Sequence, residues 1–425
     1  MNPASASFPR RDGGTSPGEG VLYSIQALRA VAAFLVCLAH TLIETDAFPG
    51  HGALPAFGKN GPLPAGVDLF FIISGFIMLY TSRRAFARAG AARDFLVRRL
   101  TRIVPLYWLF TTLMIFATLL VPDRLTKTTF DPWWAIRSFF FIPAINPRGE
   151  VGPILALGWS LEYEMYFYLS FSIALTRREN RGLVILAVTL GGIWAVARLL
   201  PLREIGLVRF LANPVVFEFL LGVAFARCWL DTKGAWRLTM YSCWSIGTLL
   251  AYLVLGPLID HRLVQWGLPC LFGFVIVMAA ADLFGSRWFR PLHLLGDASY
   301  ALYLSHPFTL ECVKWAMIGF WPNTDASIYL CVGLAAAHVV GIAVHRLVER
   351  PVLLLLRARL SSAAERSEPA DLRQRPTGSP IAVPDTKPFP SPFPSNVTAT
   401  PSTCTEDLSA GSAPETSTDT IDPVR

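Results

Sequence analysis

Charge is scarce in this chain. Only 16% of its 425 residues are Asp, Glu, Lys or Arg, while 53% are hydrophobic. A soluble domain is nearer a quarter charged, so an ordinary water-soluble globule is excluded. Paired cysteines are also lacking: the seven cysteines include no C-x-x-C pair, and Cys37, Cys243, Cys270 and Cys331 sit inside apolar runs. That pattern argues for small buried side chains rather than a disulfide or zinc framework. No His, Cys, Asp or Glu cluster has metal-ligand spacing, so no metal is expected. No internal repeat is visible, which removes the solenoid classes. The polar stretch from Met1 to Gly20 leads into an apolar run of full spanning length, so no cleavable leader is expected.

Long apolar runs are what the chain does contain. A hydrocarbon core of roughly 30 Å takes about 20 helical residues to cross. The runs predict spans at 22–45, 64–82, 103–122, 152–175, 182–200, 207–230, 238–258, 264–284, 292–314 and 326–347. A Trp/Phe-rich stretch at 132–142 reads as interfacial. The expected fold is all-α, a polytopic transmembrane bundle of about ten helices over 21–352. Residues 1–20 and 361–425 are expected to be disordered and cytoplasmic. Ser, Thr, Pro, Ala and acids dominate the second segment, which has too little apolar surface to offset its ordering entropy. Asn396-Val397-Thr398 within it reads as a chance match to a glycosylation sequon.

The net charge of +7 points to membrane lipid rather than nucleic acid, because the Arg residues lie in short loops. The loop between the second and third spans carries Arg83, Arg84, Arg88, Arg93, Arg98, Arg99 and Arg102 against Asp94 alone. The preceding loop carries Glu44, Asp46 and only Lys59. Arg177, Arg178, Arg181, Arg287, Arg290, Arg346, Arg350 and Arg357 fall on the Arg-rich side, while Arg198, Arg203 and Arg209 oppose it. The balance places both termini in the cytoplasm of a bacterial inner membrane.

Ionisable residues inside spans are costly and default to functional candidates. The first span holds Arg29 and His40. Eleven residues return to within roughly 20° of the same helix face and cover about 16 Å of rise. One face therefore shows a cation low down and an imidazole higher up. Asp68, near the outer end of the second span, is expected at a depth comparable with His40. A carboxylate beside an imidazole fixes its tautomer and raises its basicity. Ser74 and Gly75 in that span read as close-packing positions. Arg99 and Arg102, three apart, share a helical face, and their forked donors suit phosphate arriving from the cytoplasm. Glu162 and Glu164 lie about 200° apart and cannot face one cavity centre. Tyr303 sits one turn below His306 in the ninth span.

These segments resemble the acyltransferase-3 family of membrane proteins. The matching motifs are Arg29-x10-His40, GVDLFFIISGFIM, Arg99-x-x-Arg102 with Pro105 and Tyr107, WSLEYEMYFY, FEFLLGVAFA, SYALYLSHP and Glu349-Arg350-Pro351. They run in family order from about residue 22 to 351, and two of them look most like the exopolysaccharide acetyltransferase branch. In the W-S-L pattern the characteristic Glu falls at Glu164, and Glu162 has no standard counterpart. The resemblance implies transfer of an acyl group from acetyl-CoA to a hydroxyl of a carbohydrate, which can be lipid-linked. Arg29, Arg99 and Arg102 would then bind the donor, and His40 would act as base or as transient acyl carrier. Asp68 or Glu164 would orient the imidazole, and Tyr303 and His306 would touch substrate. The rival expectations are a membrane transporter and a non-catalytic polysaccharide-assembly protein.

Overall fold

A computed structural model describes residues 17–122, 130–146, 149–202, 204–285 and 287–367. The proposed disorder of residues 1–16 and 368–425, the sequon included, lies outside the described residues. Helices make up the described fold, with a single isolated bridge, Ile145 to Val151, among the described residues. The chain begins with α1 (Pro17–Glu44), the short α2 (Leu54–Asn60), α3 (Gly66–Ser82) and α4 (Ala91–Leu120). Next come the short α5 (Pro132–Phe139), α6 (Trp159–Leu175), α7 (Glu179–Leu199) and the short α8 (Gly206–Leu211). Then α9 (Val216–Asp231), α10 (Trp236–Leu255), α11 (Leu268–Ala279) and α12 (Arg290–Asp297) follow. The last three are α13 (Ser299–Phe320), α14 (Ala326–Val344) and α15 (Arg350–Ser367).

Every predicted span overlaps helix, and seven helical stretches among the described residues are long and apolar enough to cross a membrane. The chain is a multi-pass membrane protein built as an all-α bundle. The stretch at α11 is shorter, and α6 and α13 carry more polar residues. The outward faces agree with lipid contact. On α7, Val184, Val188 and Val196 are exposed; on α10, Leu250, Leu253 and Val254 are. A row of bare aliphatic side chains is stable in hydrocarbon and costly in water.

Several boundaries differ from those expected: the first helix starts at Pro17, inside the stretch expected to be disordered, and the spans expected at 207–230 and 292–314 are each two helices, α8 with α9 and α12 with α13. The fourth helix starts at Ala91 rather than near 103. Gly90 takes φ +78°, a left-handed conformation that suits glycine and starts the helix. The stretch from Ala91 to Val104 contains neither Gly nor Pro, so its Arg residues continue the helix instead of forming a loop. The last helix runs to Ser367, past the expected start of the tail at 361. The interfacial stretch is helical as α5, whose first turn is capped by Asp131 accepting from the Trp134 N–H at 2.6 Å.

Helix α1 is central and packs on α3, α12, α13 and α14. It runs parallel to α13: Arg29 meets Ser299, His40 meets His306 and Glu44 meets Lys314, in ascending order on both helices. A core of aromatic rings joins α3, α6, α9 and α11 through Phe76, Phe167, Phe219, Phe225 and Phe274, all fully buried. Helices α3 and α9 cross at their backbones. A Cβ on Gly75 would lie 2.0 Å from the Phe219 carbonyl oxygen, and one on Gly222 would lie 2.1 Å from that of Ile72. Membrane helices associate through such small-residue contacts. Gly75→Ala is therefore expected to force the pair apart at a cost of about 1–3 kcal/mol. A melting temperature in detergent equal to wild type would show that the crossing tolerates the methyl.

Candidate active site

The site is built on two facing histidines. His40 on α1 and His306 on α13 have ring centroids 5.0 Å apart, tilted by 58°. His40 Nδ1 lies 2.9 Å from the Val36 carbonyl oxygen, and His306 Nδ1 lies 3.0 Å from that of Leu302. A carbonyl only accepts, so both Nδ1 atoms carry the proton when the rings are neutral. That leaves each Nε2 as a lone pair. His306 is fully buried and its Nε2 has no hydrogen-bond partner. Tyr303, whose ring centroid is 6.3 Å from that of His306, bonds Ser160 at 2.8 Å and donates to the Leu157 carbonyl at 3.0 Å. Above the pair, Lys314 Nζ bridges Glu44 at 2.5 Å and Glu311 at 2.7 Å.

At the lower end of α1 lies a second polar group. Arg29 donates to Ser299 Oγ at 2.9 Å, and Arg102, Asp297, Glu349 and Glu164 are within its electrostatic reach. Arg99 lies over the rings of Phe95 and Tyr168, 5.6 Å and 5.9 Å from their centroids, and donates to Thr81 at 3.4 Å. Glu164 accepts from Ser74 at 3.1 Å and from the Tyr168 hydroxyl. Tyr300 closes this floor by donating to the Ile103 carbonyl at 2.7 Å. Three guanidinium groups thus converge from two helices. Three carboxylates offset part of their charge, and Arg98 on the next position of α4 adds to it. Planar forked donors of this kind match phosphate oxygens.

Asp68 lies elsewhere. It is fully buried at the start of α3, and Arg262 clamps it through Nε at 2.9 Å and Nη2 at 2.6 Å. Arg262 also donates to the Pro64 carbonyl at 3.1 Å and sits over Trp159, 5.5 Å from a ring centroid. Glu218, fully buried on α9, adjoins the same pair. The expectation that Asp68 orients His40 is therefore corrected: the Val36 carbonyl holds that proton, and the carboxylate in electrostatic reach of His40 is Glu44. The same correction applies to Glu164, which is engaged by Ser74 and Tyr168 among the arginines. Arg29 and His40 share one face as expected. Arg102 joins Arg29, and His306 faces His40 across the site.

Arg262 is the residue that sequence reasoning missed. It falls in a loop between two expected spans, and its partner is 194 residues away. The signal available was Asp68 itself, since a carboxylate inside a span calls for a cation.

The all-α membrane bundle thus carries a histidine pair above an arginine floor. Residues 22–346 match the family model described as the acyltransferase domain, and the chain belongs to that acyltransferase-3 family. The chain is 32% identical over 308 residues to the exopolysaccharide production protein ExoZ of Rhizobium meliloti (strain 1021), covering 70% of this chain and 92% of that protein. It is 25% identical over 297 residues to nodulation protein 10 of Rhizobium leguminosarum bv. viciae, covering 60% of this chain and 74% of that one. It is 22% identical over 317 residues to the peptidoglycan O-acetyltransferase OatA of Listeria monocytogenes serovar 1/2a, covering 67% of this chain and 48% of that one. No solved structure matches the chain.

Proposed function

We propose that this chain transfers an acetyl group from acetyl-CoA to a hydroxyl of an exported or cell-surface polysaccharide, in a bacterial inner membrane with both termini cytoplasmic. The observation that carries the reading is the His40–His306 pair with both Nδ1 protons held by carbonyls, about 16 Å above Arg29 along α1. A ring fixed in that tautomer offers Nε2 as a base. The relatives' names, an exopolysaccharide production protein and a peptidoglycan O-acetyltransferase, support the polysaccharide acceptor.

The chemistry balances without a metal. The phosphates of the donor rest on Arg29, Arg99 and Arg102, and its pantetheine arm rises along α1 to the histidines. His40 Nε2 takes the proton from the sugar hydroxyl as that oxygen attacks the thioester carbonyl. A C–O bond forms and the C–S bond breaks. The CoA thiolate then takes the proton from the imidazolium. Alternatively His40 Nε2 attacks the thioester first, an N–C bond forming as the C–S bond breaks and CoA leaves as thiolate; the sugar oxygen then takes the acetyl group, the N–C bond breaks and the hydroxyl proton passes to the thiolate. In either case His306, whose Nε2 has no partner and whose ring lies 5.0 Å from that of His40, holds the acceptor hydroxyl or His40 in register.

The arginine floor makes a separate prediction. Arg99→Ala and Arg102→Ala are expected to raise KM for acetyl-CoA about tenfold with kcat little changed, because phosphates remote from the reacting carbon are bound alike in ground and transition states. An unchanged KM in both would return these residues to topology anchoring.

The function is tested in cells of the source bacterium. Deletion of the gene should leave the polysaccharide exported but depleted of O-acetyl groups, read by proton NMR and released acetate. Loss of export with acetylation intact would favour the transporter reading.

A further inference from the structure

Glu162 stands outside the mechanism above. It lies in the first turn of α6, only 2% exposed, and neither carboxylate oxygen has a hydrogen-bond partner. A buried carboxylate without partners is costly and calls for a bound group to satisfy it. The space for such a group is present. Glu162 lines a cavity of about 140 Å³ together with Trp159, Tyr163, Phe210, Arg209 and Asn213. A cavity of about 150 Å³ takes a six-membered ring such as benzene.

The lining selects among six-membered rings. Tyr163 and Phe210 stack at 3.9 Å, and Trp159 meets Tyr163 edge-on at 6.0 Å, giving an aromatic wall. The polar groups of the lining are a carboxylate, a carboxamide and a guanidinium, from Glu162, Asn213 and Arg209. Apolar faces with a few convergent acceptors and donors suit a ring whose faces are C–H and whose rim is hydroxyl. We propose that this cavity is a subsite holding one pyranose ring of a multi-ring acceptor, with Glu162 accepting hydrogen bonds from its hydroxyls. The inference rests on the carbohydrate-acceptor reading and adds a place for the acceptor.

The ring held here is not the one acylated. Ser160, which reaches Tyr303 on the histidine side, and Glu162 are about 200° apart around α6. A helix with its side chains is about 10–12 Å across, so one or two sugar units separate the cavity from the histidines. Binding of a non-reacting part of the substrate then positions the reacting part.

The test uses purified full-length protein in nanodiscs and equilibrium dialysis with tritiated glucose tetrasaccharides in α-1,4, β-1,4 and β-1,3 linkage. Wild type should bind at least one of them. Glu162→Gln should weaken that binding by at least tenfold while leaving the melting temperature equal or higher, since a buried unpaired carboxylate has been removed. Asn213→Ser keeps an acceptor for the Val215 N–H, now bonded at 3.1 Å, and should weaken binding in the same direction if Glu162→Gln is poorly made. Failure of wild type to bind any probe, or equal binding by the variants, overturns the inference. Binding is read without turnover, so loss of acetyl transfer from acetyl-CoA with binding intact would count against the catalytic reading alone.

Discussion

His40→Ala is expected to lower acyl transfer by 10²-fold or more, the usual contribution of a positioned general base. Insertion and donor binding should persist. The arginine floor begins at Arg29, eleven residues and about 16 Å below His40 along α1, too far for the imidazole to touch the donor's phosphates. The side chain is half-buried, and its Nδ1 bond to Val36 is local to its own helix, so its removal opens no long-range network. His306→Ala separates two accounts of the pair. If His306 positions the hydroxyl, its loss should raise the acceptor KM more than it lowers kcat. Near-normal turnover in His40→Ala with turnover lost in His306→Ala would move the base to α13.

Arg262→Ala is expected to be the most destabilising single change considered. Arg262 neutralises Asp68, which is fully buried, and lies beside Glu218, which is also fully buried and shares a side-chain hydrogen bond with Asp68. Its loss leaves two carboxylates together without a cation. Breaking a buried ion pair from one side costs about 3–5 kcal/mol, and the partial exposure of Arg262 puts the effect in the lower part of that range. The double variant Asp68→Asn with Arg262→Ala should recover part of the loss, because one of the two uncompensated carboxylates has gone. Thermal unfolding in detergent reads both. A single variant melting like wild type would show that water reaches Asp68 and that the pair is not structural.

The helices were legible because a membrane imposes length on apolar runs, and each of the ten expected spans falls on helix, although 207–230 and 292–314 are each divided between two helices. The start of α4 was not, since a basic stretch reads as a loop by charge while its Ala, Leu and Arg residues favour helix. The alignment of Arg29 with His40 was legible from a spacing of eleven within one helix. What joins different helices was not. Depth brings Asp68 to His40 and the family resemblance brings Glu164, but neither says which neighbour faces a carboxylate. Arg262 and the Ser74–Tyr168 pair took those places. Nor could spacing show that a carbonyl four residues back, Val36, would fix the imidazole without any carboxylate.

The central claim is that this chain moves an acetyl group from acetyl-CoA to a saccharide through His40. The direct measurement uses purified wild type and His40→Ala in liposomes with lipid-linked saccharide extracted from the source membrane. The donor is acetyl-CoA carrying carbon-14 in the acetyl group. The account predicts label in the saccharide with wild type, matched by an equal yield of free CoA, and none above background with His40→Ala. Equal labelling by the two proteins, or none by either while the saccharide crosses the bilayer, would contradict it.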